Sequence, residues 1–172
     1  MAETKLFDNL FKVIKANSGP LYGSSAFTEI LDLQIPRGYC ARIRKVIAQY
    51  RGHKAENQAD VEWGITCALV ADPDDETSTT IPTFEVDHDV ICDFRWDSSL
   101  MIATTGMTHI NQLRQVIDFD ETLDVVTVRN LRFNTYEDGL ADADPKPQVD
   151  MEVYFTYEKI SMDLYAKLLG IS

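Results

Sequence analysis

The sequence has little of what usually carries chemistry. Histidine occurs three times, as His53, His88 and His109, with none of the close offsets by which metal ligands appear as a set, which argues against a metal enzyme. Cysteine also occurs three times, at Cys40, Cys67 and Cys92. An odd number without metal spacing points to free thiols buried as small apolar groups, and to a reducing origin rather than secretion. No apolar run approaches membrane-spanning length, and Met1 to Lys5 lacks the apolar stretch of a signal peptide. Basic residues are outnumbered, 16 Lys and Arg against 28 Asp and Glu for a net charge of −12. Phosphate backbones are therefore repelled, and no sequence-specific nucleic-acid binding is expected. The chain contains no Gly-x-Ser-x-Gly elbow and no phosphate-cradling glycine loop. Carboxylates are plentiful, but neither Asp72, Asp74, Asp75 and Glu76 nor Asp138, Asp142 and Asp144 has the fixed offsets of a calcium loop. Glu152 and Glu158 fall on an outward strand face rather than in a cleft. No catalytic, cofactor-binding or metal-ligating residue is assigned, no cofactor is expected, and the reading is of a protein that is not an enzyme.

What the chain does have is alternation. In Val149 to Ile160, Val149, Met151, Val153, Phe155 and Tyr157 share one face of an extended chain, with Asp150, Glu152, Thr156 and Glu158 on the other. A half-buried strand so near the end must pair with strands made earlier, so the sheet is assembled from the whole chain. Earlier strands are expected at Glu29 to Ile35, at Tyr39 to Tyr50 with a bulge where the alternation shifts between Ile43 and Val46, and at Val61 to Val70. Phe84 to Trp96, Met101 to Thr105, Gln112 to Phe119 and Asp124 to Phe133 follow, with Asn134 to Pro147 as a loop. His53 and His109 are placed in loops, and His88 on the apolar face of its strand. With 172 residues, 45% of them apolar and 26% charged, the chain suits one core. About eight strands, and no alternating helices to build a parallel sheet, give the fold class: all-β, an eight-stranded antiparallel jelly-roll sandwich.

A helix is expected at each end. Thr4 to Ala16 carries Leu6, Phe7, Leu10, Phe11, Val13 and Ile14 at spacings of three and four, the stripe of an amphipathic helix, and Asn17 to Pro20 stops it. Ser161 caps a short C-terminal helix, Met162 to Leu169. The chain thus divides into an N-terminal helical arm, residues 1–20, and a single jelly-roll domain, residues 21–172. The main basic cluster, Arg37, Arg42, Arg44, Lys45 and Arg51, can pair with acids on adjacent strands or meet the acidic loops of a neighbouring copy. Contacts between subunits are expected at Leu6, Phe7, Leu10, Phe11 and Ile14 and at Arg42, Arg44 and Arg51.

Several stretches together resemble a known family: the amphipathic start Leu6 to Ile14, the step Leu33 to Tyr39 leading into Ile43 to Ile47, the run Val125 to Phe133, and the end Val153 to Ser161 followed by a short helix. Over Phe27 to Leu169 the chain resembles the single, vertical jelly-roll major capsid proteins of tailless icosahedral viruses with an internal membrane. The resemblance implies a structural viral capsid protein without catalysis, an oligomer made in the host cytoplasm and located in the virion. It implies as partners other copies of the chain, or a second jelly-roll capsid protein, and contact of the N-terminal helix with the internal lipid membrane. The alternative is a carbohydrate-binding jelly-roll module, which would need Trp63, Trp96 or Tyr136 exposed on a concave face.

Overall fold

The computed structural model describes residues 11–21, 26–51, 64–71, 90–100, 108–110, 114–120, 122, 125–138 and 147–169. Its strands are β1 (Lys12–Asn17), β2 (Ala26–Leu31), β3 (Tyr39–Arg51), β4 (Gly64–Val70), β5 (Val90–Leu100), β6 (Thr108–Ile110), β7 (Arg114–Asp118), β8 (Val126–Thr127), β9 (Leu131–Asp138) and β10 (Gln148–Lys159), followed by helix α1 (Met162–Leu168). The first sheet runs β1-β10-β3-β7, with β8 also pairing with β3, and the second runs β2-β9-β4-β5-β6. Every described pairing is antiparallel. With the short β6 and β8 set aside, consecutive strands alternate between the layers except the fourth and fifth, which pair within the second sheet. In chain order the first, eighth, third and sixth make one sheet, and the second, seventh, fourth and fifth make the other. That is the jelly-roll winding, and β10 occupies the interior position expected of a closing strand.

Alternation explains the core. β10 turns Val149, Met151, Val153, Phe155 and Tyr157 inward against Ile43, Val46, Ala48 and Tyr50 of β3, and the second sheet answers with Ile65, Cys67, Leu69, Cys92, Phe94, Trp96, Leu131 and Phe133. Each large side chain so enclosed contributes on the order of 1.5–3 kcal/mol through removal of apolar surface from water. Trp96 stacks on Phe94 with centroids 6.4 Å apart and tilts against Tyr50 at 6.3 Å. All three cysteines are free and buried, as expected. Burial pushes the Cys67 thiol well up and that of Cys92 to about 12, so neither offers a thiolate for chemistry.

The N-terminal helix expected over Thr4 to Ala16 needs correction at its end. Lys12 to Ala16 belong to β1, paired residue for residue with β10 from Lys12 opposite Phe155 to Asn17 opposite Asp150. Ile14 packs on the core and Ala16 is buried, while Val13, Lys15 and Asn17 face out. A free edge of β10 with apolar inward positions outweighs a weak local preference for helix. The earlier part of that segment lies outside the described residues.

Other boundaries move for local reasons. β2 ends at Leu31, and residues 32–36 leave the ladder around Gln34, which has φ of 51°. Asp32 Oδ1 accepts from the Gln34 N–H at 3.0 Å, and Asn130 Oδ1 accepts from the Leu33 N–H at 3.0 Å. The stretch Asp124 to Phe133, expected as one strand, is two: β8 pairs with β3 in the first sheet and β9 with β2 and β4 in the second. The chain changes layers at residues 128–130, where Thr127 Oγ1 accepts from the Arg129 N–H at 3.0 Å. Asn134 to Asp138, expected as loop, continue β9. His109 lies in β6 rather than a loop. The expected strand portions at 61–63, 84–89 and 101–105, with His53, His88 and Trp63, lie outside the described residues.

The bulge in β3 is where the pattern break places it. Lys45 pairs with Tyr154 and Ile43 with Phe155, so Arg44 is the extra residue. The C-terminal helix is also as expected, with Ser161 Oγ accepting from the Leu164 N–H at 3.2 Å.

Candidate functional site

The outward face of the first sheet carries a dense set of charged side chains. Strand register sets them in rows. Val13, Tyr154, Lys45 and Asp118 form one row, Lys15, Glu152, Ile47 and Val116 the next, and Asn17, Asp150, Gln49 and Arg114 the third, with Gln148 and Arg51 beyond. At the other end Arg42, Arg44 and Glu158 share the face.

Cross-strand neighbours on one face interact, and here nearly every cation has an acid. Arg42 Nε lies 2.6 Å and Arg44 Nη2 3.2 Å from Glu158 Oε1, so one carboxylate joins two guanidinium groups. Lys45 meets Asp118 at 2.8 Å and Lys15 meets Glu152 at 2.5 Å, while Arg51 pairs with Asp150. The hydrogen bond from Lys15 and one at 2.9 Å from the Tyr154 hydroxyl hold the Glu152 carboxyl below its usual range. The same bond holds the Lys15 ammonium above its own. Arg114 is the exception. It is near enough to Glu152 to help lower that carboxyl, yet it forms no ion pair with a described residue.

Counting the face as a whole, Lys15, Arg42, Arg44, Lys45, Arg51 and Arg114 oppose Asp118, Asp150, Glu152 and Glu158, a sum of +2. An open groove of about 440 Å³ runs across it, lined by Lys15, Gln49, Arg51, Arg114, Asp150 and Glu152 among others.

The expected interface residues sort as follows. Arg42, Arg44 and Arg51 lie on this face and pair with acids of the adjacent β10, the local arrangement foreseen as one of two readings. Phe11 is 66% exposed at the start of β1, whereas Ile14 faces the other way and packs on the core. Leu6, Phe7 and Leu10 lie outside the described residues. The signal that reasoning from sequence passed over is Arg114, because nothing local shows that β7 lies beside β3.

Among the described residues no group of three or more His, Cys, Asp and Glu could hold a metal ion. Trp96 is 1% exposed and packed in the core, so it offers no face to a sugar. Tyr136 is half-buried in β9.

No protein-family model matches the sequence, and no curated protein matches it. Among solved structures, the chain is similar in fold to one described as Desmodium yellow mottle tymovirus, with a TM-score of 0.46 and 9% identity over 89% of each chain. It is similar to an empty head of turnip yellow mosaic virus with a TM-score of 0.40 and 9% identity, over 90% of this chain and 84% of the other.

Proposed function

We propose that the chain is a structural subunit of a viral shell, assembling with copies of itself or with a second jelly-roll protein into an icosahedral capsid. The observation that carries this is the complete jelly-roll winding of the eight main strands, joined to the resemblance of Leu33 to Tyr39, Val125 to Phe133 and Val153 to Ser161 to vertical jelly-roll capsid proteins. A fold hosts many functions, so the step from winding to shell is one of analogy. It is supported by the character of the surface. The first sheet's outer face is charged and laced with ion pairs, the composition of a rim that sets partner and register.

In this reading the sandwich tiles the shell and its loops choose neighbours. Leu6, Phe7, Leu10 and the exposed Phe11 form an apolar start that meets a neighbouring subunit or the lipid of an internal membrane, while Ile14 serves the sandwich itself. Synthesis in the host cytoplasm and location in the virion follow from the same proposal.

The test is light scattering of the purified protein over a range of protein and salt concentrations, with negative-stain microscopy of the largest species. Multimers that change with salt and form regular rings or particles are expected. A monomer under every condition that also binds glycans would sink the proposal and favour a carbohydrate-binding module.

A further inference from the structure

We propose that β7 is a contact between copies of this chain: it pairs antiparallel with β7 of a second copy about a two-fold axis through Val116, joining the two first sheets into one. The inference rests on the shell reading, which requires copies to meet, and it names the edge at which they do.

Strand β7 ends the first sheet, and among the described residues no strand pairs with its other edge. The register shows which groups that edge offers. The Phe119 N–H donates to the Arg44 carbonyl at 2.9 Å, and bonded pairs recur at every second residue of an antiparallel ladder, so Ile117 and Gln115 turn their backbone groups to β3 opposite Val46 and Ala48. The N–H and C=O groups of Arg114, Val116 and Asp118 therefore point away from the sheet. The strand is well anchored on its other side. Ile117 packs on the core, and Gln115 Nε2 donates to the Arg95 carbonyl of β5 at 2.8 Å.

The side chains choose the occupant. Arg114, Val116 and Asp118 are all exposed. Turned antiparallel on itself about Val116, the strand sets Arg114 of each copy opposite Asp118 of the other and Val116 opposite Val116, with about six backbone hydrogen bonds, two for each pair. Both charged groups are able to meet. Arg114 forms no ion pair with a described residue. Asp118, whose side chain is 68% exposed, gives Oδ1 to Lys45, and its other oxygen can take a guanidinium, much as Glu158 joins two. Val116, 45% exposed, is covered by its mate at the centre. The other strands at sheet ends lack this self-complementarity. β1 carries Lys12 and Lys15 with no acid, β2 carries Glu29 with no cation, and the short β6 and β8 have no Lys, Arg, Asp or Glu. The lysines of β1 also discourage edge pairing. A two-fold contact is isologous, so a single strand supplies both halves of it.

The experiment compares sedimentation of the full-length protein over a range of concentrations with that of variants, each checked for folding by its urea midpoint. Arg114→Asp and Asp118→Arg each place like charges opposite one another, and each is expected to weaken self-association by about tenfold or more. An equimolar mixture of the two, or the double exchange in one chain, puts opposite charges back and is expected to restore it. Asp163→Arg on α1 changes net charge as Asp118→Arg does and is expected to leave association as it is. Val116→Cys reads the axis directly, since Cα atoms of a bonded pair lie about 5.5 Å apart, within disulfide reach. Under mild oxidation it is expected to form covalent dimers about tenfold faster than Val13→Cys, a site on β1 of equal exposure, 45%. That comparison stands even if a charge reversal disturbs folding. If the native protein assembles but both reversals assemble equally well, or the mixture shows no recovery, or the two cysteine variants dimerise at one rate, β7 is not the contact and the shell reading stands. A native protein that stays monomeric at every concentration, with no preference for the Val116 cross-link, overturns both.

Discussion

Tyr157→Phe isolates one buried tie between the two layers. The hydroxyl of Tyr157, which is 6% exposed, donates to the Leu33 carbonyl at 2.6 Å, with the Gln34 carbonyl at 3.2 Å. Leu33 itself is buried, and residues 32–36 are in no ladder, so this segment relies on side chains to satisfy its backbone. Removing only the oxygen keeps the ring, its edge contact with Phe155 at 5.6 Å and the packing, so no cavity term enters. What is lost is a neutral hydrogen bond, and a buried acceptor is left short of a donor, together about 1–3 kcal/mol. With a urea m-value of about 2 kcal/mol/M, the midpoint falls by roughly 0.5–1.5 M at unchanged m. Tyr157→Leu, which also loses the ring, costs more. Urea unfolding followed by tryptophan fluorescence measures both. A Phe variant whose midpoint equals that of the native protein would refute the claim that this hydroxyl anchors the turn after β2.

Gln34 is exposed and holds φ at 51°, a left-handed conformation that favours glycine. Gln34→Gly is expected to stabilise by about 0.5–1 kcal/mol, read as a rise in urea midpoint. Ser18→Ala removes an oxygen that accepts from the Val149 N–H at 2.9 Å in a buried setting and donates to the Gly19 carbonyl at 2.8 Å. A loss of about 1–2 kcal/mol is expected, and faster amide exchange at Val149 would localise it. Burial pushes Tyr50 to about 12, with help from the charge of Glu137, and pushes Cys92 to about 12 and Cys67 well up. The folded state keeps these protons after the unfolded chain has released them from groups of ordinary pKa 9.0 and 10.0. Stability is therefore at its full value below about pH 9 and falls as pH rises toward 12, at up to about 1.4 kcal/mol per pH unit for each group in its window. Urea midpoints taken across that range check the slope, which Tyr50→Phe should reduce.

How much of this was legible beforehand differs from strand to strand. β10 and β3 could be read nearly to the residue, and even the bulge, because both alternate over twelve residues or more and a slip would move an entire apolar set to solvent. β1 could not. It offers only Ile14 and Ala16 inward, and the apolar residues just before it at spacings of three and four continue a helical stripe into it. What makes it a strand is the edge of β10, about 140 residues away in sequence. The split between β8 and β9 was hidden because Val125, Val126, Val128 and Leu131 form one apolar run, although their partners lie in different layers. The far half of β9 was missed for the opposite reason, since Asn134, Thr135 and Glu137 look like loop, yet Thr135 and Glu137 are buried. The arginines were found from composition alone, but which carboxylate each one meets depends on register, and register is a property of the assembled sheet.

The irregularity at Arg44 makes one position in a long central strand expendable. Excising Arg44 would leave Ile43 facing Phe155 and Lys45 facing Tyr154 with no interruption, so every inward side chain of β3 keeps its direction. Excising Ala48 would reverse the remainder of the strand. The ladder does not require this extra amino acid, and its presence gives Glu158 a second guanidinium and gives the Phe119 N–H a carbonyl at 2.9 Å. A lineage could lose or regain that single codon without unravelling the sandwich, which makes it a place where surface charge can change while the interior stays as it is.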